Sequence, residues 1–431
     1  MKDFDHTEML LQMLEEGVSP CHVAASVEER LEENGFEALE MRDDWNLNFG
    51  GKYYIKHHDS TLFAFTIGKN CGYASDLRMA AAHTDFPCMR IKSRPEVVTE
   101  GYMQLNVEVY GGPILSTWMD RPLSVAGRVA LKSDDVFRPE MRLVNFKKPI
   151  MTIPNLAIHM NREVNKGVEL NRQTDLEPVM GMVTENLNKG GFFMETLARE
   201  LHVDVDDILD FELGLYNTDA GDYVGVNGEF ISAPRLDNIT GCHAILTGIL
   251  EESNENGIHI AAFYDHEEIG SKTKQGAGSS MLSILVERIV AGLNRNKEMY
   301  CTMIGDALLL SVDVGHAIHP NYVGKNDPTN KAVLNGGFII KEASVQSYAT
   351  DCEAVAIIQQ ICEKEEIPYQ KVANRSDIAG GGTLGSIASA MLPVRTIDVG
   401  VPLLAMHSSR ELMGAKDQEA LARMVTAFYS L

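Results

Sequence analysis

Residues 258–271 read IHIAAFYDHEEIGS, a run of apolar residues that ends in two adjacent carboxylates, Glu267 and Glu268. The run is typical of a buried strand, and ligands of open α/β sheets gather at the carboxyl ends of strands. Adjacent carboxylates repel each other unless a positive charge separates their roles. The pair therefore predicts a metal site, in which one carboxylate binds the cation and the other takes a proton from water. The alternative, an exposed acidic turn, fits less well directly after a buried strand.

Other apolar runs also lead into residue types that bind metals. These residues are His83 and Asp85 in RMAAAHTD, Asp237 in APRLDN, Asp313 in LLLSVDVGH and His407 in VGVPLLAMHSSRE. A single residue of this kind more often caps a helix or bonds the main chain. Together they offer the nitrogen and oxygen ligands that zinc, cobalt or manganese accept. Three carboxylates and a bridging hydroxide would balance two divalent cations, and Asp85 is the expected partner for the second ring nitrogen of His83.

The pattern along the chain predicts an α/β domain interrupted by a β-rich insertion. Residues 6–41 have the spacing of two amphipathic helices, divided at Ser19-Pro20. From about residue 88 to 232 strands and Gly/Pro turns dominate, whereas helices and strands alternate after Asp237. That alternation implies a mainly parallel sheet covered by helices on both faces. We predict one domain of residues 1–87 and 233–431, interrupted by a β-rich second domain of residues 88–232.

The composition limits the classes of protein that the sequence fits. The chain has 431 residues, 45% of them hydrophobic, which favours two compact domains. Its formal charge of −23 disfavours nucleic acid and anionic membranes as partners. The first residues do not have the pattern of a signal peptide, and the seven cysteines form no CxxC pair. We therefore expect a cytoplasmic protein with reduced cysteines that binds neither membranes nor nucleic acid.

Seven motifs occur in the order and spacing of the M18 aminopeptidases, the family that includes aspartyl aminopeptidase and vacuolar aminopeptidase I. They are AAHTDFPCMRIK (81–92), STWMDRPLSVAGRV (116–129), IPNLAIHMNREVNKG (153–167), PRLDN (234–238), DHEEIGS (265–271), SVDVGHAIHP (311–320) and LAMHSSRE (404–411). The match extends over nearly the whole chain. The sequence therefore resembles a metal-dependent aminopeptidase, and the resemblance implies a zinc-exopeptidase-type α/β fold. Residues 1–87 and 233–431 would form its catalytic domain, and the inserted β-rich residues 88–232 a dimerisation or lid domain.

The resemblance implies a role for each candidate residue at the metal centre. Two divalent ions per subunit are expected, zinc with cobalt or manganese as alternatives. Their implied ligands are His83 and Asp313 for one ion, Glu268 and His407 for the other, and Asp237 between the two. Glu267 would be the general base that activates water for hydrolysis of the N-terminal peptide bond.

The resemblance also implies contacts with substrates and with other subunits. His159 would reach the substrate from a neighbouring subunit or join the metal site, and Lys341 would lie near the substrate pocket. His316 and His319 would make supporting contacts. Short peptides are the implied substrates, and a homododecamer built from dimers is the implied assembly. The residues at Pro113-Ile114-Leu115 differ from the family's usual sequence. Whether substrates with acidic or with neutral N-terminal residues are preferred is therefore left open.

Three alternatives remain at this point. The first is a two-metal deacylase of amino-acid conjugates on the same scaffold. The second is a nucleotide-binding module, but the Gly-rich stretches at 275–280 and 379–385 lack the spacing that phosphate binding requires. The third is a shell-forming protein without catalysis, against which the complete ligand set argues.

Overall fold

A computed structural model describes residues 6–72, 76–183, 191–253 and 255–431. The chain divides into two compact units: the first is Met1–Phe86 with Gly221–Met406 and Glu411–Leu431, and the second is Pro87–Ala220 with His407–Arg410. The chain returns to the first unit at Gly221, ahead of the residue 233 expected from the sequence. The reason is that strand Phe230–Ala233 pairs with strands Asp222–Val224 and Glu411–Gly414, and all three lie in the first unit.

The first unit is built on a mixed sheet, nine-stranded over the described residues. Its strands, in spatial order, are Glu37–Ala38, Lys52–His57, Thr61–Ile67, Ile258–Tyr264, Leu77–His83, Leu308–Val312, Arg395–Gly400, Phe338–Glu342 and Tyr369–Ala373. The four strands from Ile258–Tyr264 to Arg395–Gly400 are mutually parallel, as the sequence predicts. The strands that flank these four pair with them antiparallel. Strands Lys52–His57 and Thr61–Ile67 are also antiparallel, because the short turn after His57 can join only antiparallel neighbours.

Helices cover both faces of this sheet. On one face, core side chains come from helices His6–Glu16, Pro20–Glu33, Leu236–Glu251, Cys352–Glu365 and Asp417–Ser430. On the other face, they come from helices Met281–Gly292, Lys297–Asp306 and Leu384–Met391. The central strand presents Ala80 and Ala82 to the first face and Ala81 to the second. Small side chains on both faces bring the helices close to the end of this strand.

The predicted break between the first two helices is confirmed. Ser19 precedes the second helix, and its Oγ accepts a hydrogen bond of 3.3 Å from the main-chain N–H of His22. Pro20 occupies the first helical position, where its missing N–H costs no helical hydrogen bond. The helix ends at Glu33 instead of near residue 41, because Gly35 has a left-handed φ of 79° and turns the chain.

The second unit contains an antiparallel sheet of six strands over its described residues. In spatial order these are Glu140–Asn145, Leu123–Leu131, Ile208–Asn217, Cys88–Thr99, Tyr102–Tyr110 and Val179–Met182. Helix Phe192–Leu201 packs into the core of this unit through Phe193 and Leu197. The β-rich character predicted for this part of the chain is therefore confirmed.

A smaller sheet of the first unit has five strands over the described residues. They are Asp222–Val224, Phe230–Ala233, Glu411–Gly414, Pro402–Leu404 and Gly315–His316. None of the described helices is both long enough and apolar enough to cross a membrane.

Gly400 ends a central strand where the main chain passes close to Asp313. A Cβ atom at Gly400 would lie 1.8 Å from the main-chain oxygen of Asp313. We predict that Gly400→Ala lowers the free energy of unfolding by about 1–3 kcal/mol or more, measured by chemical denaturation. Gly305→Ala is the matched control, because no atom lies within 4 Å of its added Cβ. An unaltered stability of the Gly400 variant would contradict this close approach.

Candidate active site

Three neighbouring parallel strands bring the candidate residues to one edge of the main sheet. His83 ends strand Leu77–His83 and lies opposite Tyr264 in the register of the adjacent strand. Glu267 follows Tyr264 by three residues, and Asp313 follows strand Leu308–Val312 directly. Asp237 lies at the start of helix Leu236–Glu251, which packs on the same sheet. The parallel arrangement is therefore what brings together residues that are far apart in the sequence.

The centre of the site is a buried histidine surrounded by carboxylates. The Nε2 atom of His83 lies 3.4 Å from Asp237 Oδ1 and 3.4 Å from Asp313 Oδ1. These three side chains form one group whose ligand atoms all lie within 4.8 Å of one another, and His83 forms a second such group with Glu267 and Glu268. One imidazole nitrogen and several carboxylate oxygens at this spacing fit a zinc-type cation.

Asp85 contacts His83 in a different way from the one that the sequence suggests. The Nδ1 atom of His83 lies 2.9 Å from the main-chain oxygen of Asp85 and 3.5 Å from its carboxylate. That carboxylate accepts the main-chain N–H of Glu267 at 3.0 Å and of Glu268 at 3.1 Å. The main-chain oxygen therefore fixes the orientation of the His83 ring, while the side chain of Asp85 holds the turn that carries the two glutamates.

The sequence reasoning missed a second group that supports this turn. Asp265 is buried, and its Oδ2 atom accepts hydrogen bonds from Ser60 Oγ at 2.5 Å and Gln275 Nε2 at 3.2 Å. Its Oδ1 atom accepts the main-chain N–H of His266 at 2.7 Å. The signal in the sequence was the position of Asp265 as the first polar residue after the strand.

Glu411 is another residue that the sequence did not single out. It is buried, and its Oε2 atom accepts the main-chain N–H of Asp237 at 3.0 Å. On the other side of Asp237, Asn238 donates its side-chain N–H to the main-chain oxygen of Val312 at 2.8 Å. The start of this helix is therefore tied to the strand that leads to Asp313, which sets the position of Asp237.

The concentration of negative charge shifts the ionisation of the site. Burial, with Asp313, Asp85 and Asp237 as neighbours, raises the pKa of Glu267 to about 8, although His83 opposes the shift. Burial and the nearby Asp237 also raise the pKa of Glu268 well above its ordinary value. Without a cation these two glutamates would thus retain protons near neutral pH. A divalent cation would replace those protons, so both the charge and the donor set fit a metal.

The pKa of His83 is also shifted, and burial and the neighbouring carboxylates act on it in opposite directions. Burial by itself lowers the pKa of His83, but contacts with Asp237, Asp313 and Asp85 outweigh it and hold the pKa well above its ordinary value. A histidine in this environment keeps a proton in the absence of metal. Metal binding to His83 would therefore release a proton.

Five other candidate residues lie in the second unit or beside a cavity of the first unit. His407 and His159 belong to the second unit, where His407 Nδ1 lies 3.0 Å from the main-chain oxygen of Gly112 and His159 is exposed. Their roles at a metal or substrate site stay predictions. His316 and His319 line a cavity of about 660 Å³ in the first unit. Lys341, also a predicted substrate contact, lies in the wall of the same cavity.

An α/β sheet with a buried histidine and several carboxylates at the ends of its parallel strands is the arrangement of a metal-dependent hydrolase. The sequence profile of the aminopeptidase I zinc metalloproteases (M18) matches residues 13–429. The chain belongs to the M18 family of aminopeptidases, as the motifs indicate. It is similar to a probable M18 family aminopeptidase 2 of Clostridium novyi (strain NT), with 43% identity over 423 residues that cover 98% of each chain.

Solved structures agree with this assignment. A chain from the cryo-EM structure of the Ape4 and Nbr1 complex superposes with a TM-score of 0.94 at 30% identity, covering 99% of this chain and 85% of that one. A crystal structure of prApe1 gives a TM-score of 0.92 at 25% identity, covering 98% and 93%. The fold of the S. cerevisiae mApe1 dodecamer is also similar, with a TM-score of 0.86 at 24% identity, covering 99% and 96%.

The raised pKa of Glu267 makes the stability of the metal-free protein depend on pH. An acid whose pKa rises from 4.5 to about 8 on folding binds its proton more tightly in the folded state. Its contribution to stability is fully present below the lower value and is lost as the pH rises through the upper one. We predict that metal-free wild-type protein loses more stability over this range than metal-free Glu267→Gln, measured by thermal unfolding after chelation.

Glu287→Gln is the control for this comparison, because Glu287 is exposed on helix Met281–Gly292. Added zinc should raise the unfolding midpoint of wild-type protein more at the upper end of the pH range than at the lower end. Parallel pH profiles for wild-type and Glu267→Gln protein would contradict the raised pKa.

Asp85→Asn tests whether this carboxylate positions the two glutamates. An asparagine can accept only one of the two N–H groups, so the turn should move and the affinity for metal or the activity should fall about 10–100-fold. Asp417→Asn is the matched control, because Asp417 is also buried and accepts the main-chain N–H of Asn335 at 2.8 Å and of Gly337 at 2.9 Å. Both variants should lose stability, and only Asp85→Asn should lose metal binding or turnover. Equal turnover in the two variants would refute the assignment.

Proposed function

We propose that this M18 aminopeptidase hydrolyses the N-terminal peptide bond of short peptides with two divalent metal ions, zinc in the first instance. The observation that carries the proposal is the buried cluster of His83, Asp237 and Asp313 beside Glu267 and Glu268. His83 and Asp313 would hold one ion, Glu268 and His407 the other, and Asp237 both. When bound, the ions would polarise the scissile carbonyl and lower the pKa of an attacking water.

Glu267 is the general base of the proposed reaction. Its carboxylate would take the proton of the attacking water and return it to the leaving amine. Two features support the assignment: the turn that carries Glu267 is fixed by hydrogen bonds to Asp85, and the carboxylate is partly buried among like charges. A base in such surroundings accepts a proton near neutral pH, where an exposed glutamate does not.

The preference for a free N-terminus follows from the chemistry of the substrate nitrogen. A peptide's free α-amino group could bind a metal ion or a nearby carboxylate, whereas the nitrogen of an acylated amine is an amide and a poor metal ligand. This argument favours an aminopeptidase over the alternative deacylase of amino-acid conjugates. It does not depend on which N-terminal side chain the enzyme prefers.

We also propose that the chain self-associates and that His159 acts in a neighbouring copy. His159 lies between Ile158 and Met160, whose exposed fractions are 53% and 74%, and close to Leu156 with 52%. An exposed apolar segment of this kind favours burial against another protein surface. The similar mApe1 of S. cerevisiae is described as a dodecamer, and a dodecamer is the proposed assembly here.

Glu267→Gln should separate catalysis from metal binding. The variant removes the proton acceptor but leaves His83, Asp237 and Asp313 in place, so we predict normal zinc content and a kcat lower by about 10²–10⁴-fold. Zinc content would be measured by elemental analysis and turnover with aminoacyl p-nitroanilides. Glu287→Gln should behave as wild type. Near-normal turnover by zinc-loaded Glu267→Gln would exclude Glu267 as the base.

A paired substrate test distinguishes the two candidate activities. Aminoacyl p-nitroanilides and their N-acetylated counterparts would be compared before and after chelation and after return of zinc. We expect chelator-sensitive hydrolysis of the free-amine substrates only. Faster hydrolysis of the N-acyl compounds would favour the deacylase, and activity that survives complete metal removal would overturn the metal mechanism.

A further inference from the structure

Lys341 is a fully buried lysine that contacts Asp313, one of the carboxylates around His83. It lies in strand Phe338–Glu342 and exposes only 1% of its surface. Its Nζ atom donates to the main-chain oxygen of Asp313 at 2.9 Å and of Val314 at 3.0 Å, and lies 3.7 Å from Asp313 Oδ2. All three contacts therefore go to the two residues that follow strand Leu308–Val312.

These contacts divide the two carboxylate oxygens of Asp313 between different partners. Oδ1 lies 3.4 Å from His83 Nε2, whereas Oδ2 faces the ammonium of Lys341. Rotation of the carboxylate would break one of these contacts. Lys341 thus constrains both the main chain at Asp313 and the direction in which its carboxylate points.

Lys341 also has neighbours other than Asp313 and Val314. It is paired in register with Asp398 on the neighbouring strand Arg395–Gly400, and its Nζ atom lies 5.2 Å from the centre of the Tyr348 ring. Burial lowers the pKa of Lys341, but Asp313 and Asp398 outweigh burial and raise it. Asp398 is in turn fixed by the main-chain N–H of Ala349 at 2.6 Å. The strand pairing and these neighbours therefore hold the Lys341 side chain in place.

The cavity beside Lys341 does not change this assignment. Lys341 belongs to the wall of the cavity of about 660 Å³ that also contacts His316 and Tyr348. Its nitrogen, however, is bonded to two carbonyl groups on the side of Asp313. A substrate carboxylate could recruit this ammonium only by competing with those contacts in a buried position.

We propose that Lys341 is a positioning residue that fixes Asp313 for metal binding, instead of the substrate contact that the sequence suggests. This inference rests on the proposed function, because it takes Asp313 as a metal ligand. It predicts that loss of Lys341 affects every substrate alike. A lysine that recognised acidic side chains would affect acidic substrates selectively.

Lys341→Met tests the inference through zinc binding, measured by competition with a chromophoric chelator. Loss of a positive charge by itself would strengthen the binding of a cation, so weaker binding reports the lost positioning. We expect zinc affinity to fall about 10–100-fold. With zinc in excess, kcat/KM for aspartyl, alanyl and leucyl p-nitroanilides should fall by a common factor.

Lys371→Met is the matched control, because Lys371 lies on the adjacent strand Tyr369–Ala373 and forms an exposed ion pair of 2.7 Å with Glu342. It should bind zinc and turn over substrates as wild type does. If Lys341→Met does not fold, Lys341→Gln, which keeps a neutral N–H donor, replaces it with the same expected direction.

Unchanged or tighter zinc binding by a folded Lys341 variant would overturn the inference. A loss confined to the aspartyl substrate would overturn it as well, in favour of a substrate contact. Wild-type protein that binds no zinc would instead refute the proposed function, so the two failures are distinguishable.

Discussion

Mutual repulsion among buried carboxylates is the constraint on which the site depends. His83 is surrounded by Asp237, Asp313, Glu267 and Glu268 at one edge of the main sheet. Burial and like charges raise the pKa of both glutamates, while the carboxylates raise that of the histidine. Such a cluster is unfavourable unless protons or a cation neutralise it. The fold must therefore hold these groups at close range against their own repulsion.

The structure meets this constraint with hydrogen-bond donors and acceptors placed around the cluster. Asp85 holds the turn of the two glutamates through their main-chain N–H groups, and Glu411 does the same for Asp237. Lys341 holds Asp313 through main-chain oxygens. In each case a buried polar side chain bonds the main chain of a site residue. These supporting hydrogen bonds therefore fix the main chain at which the site side chains are attached.

Much of the fold was predictable because strands and their ends leave a clear pattern in the sequence. The run Ile258–Tyr264 and the alanines before His83 predicted central strands, and the polar residues after them predicted one shared edge. Strand Phe338–Glu342 was missed because it contains a lysine, Lys341, whose burial depends on contacts with residues distant in the sequence. The support that the Asp85 carboxylate gives to the turn of Glu267 and Glu268 could not be predicted either. The sequence does not show which atoms of neighbouring residues face each other. Glu411 lies 174 positions from Asp237 in the sequence, and only the paired strands bring them together.

The same constraint links metal occupancy to the stability of the first unit. The cluster lies where the central strands of the main sheet meet helix Leu236–Glu251, so its repulsion acts on the core of that unit. A ligand that binds only the folded state stabilises it by about 4.1 kcal/mol at a concentration 1,000-fold above its Kd. That amount is comparable to the total stability of many domains, which is about 5–15 kcal/mol. The concentration of carboxylates at the site therefore lowers the free energy of unfolding of the metal-free protein. The hydrogen bonds that Asp85, Glu411 and Lys341 make to the main chain of site residues oppose that repulsion in the metal-free state.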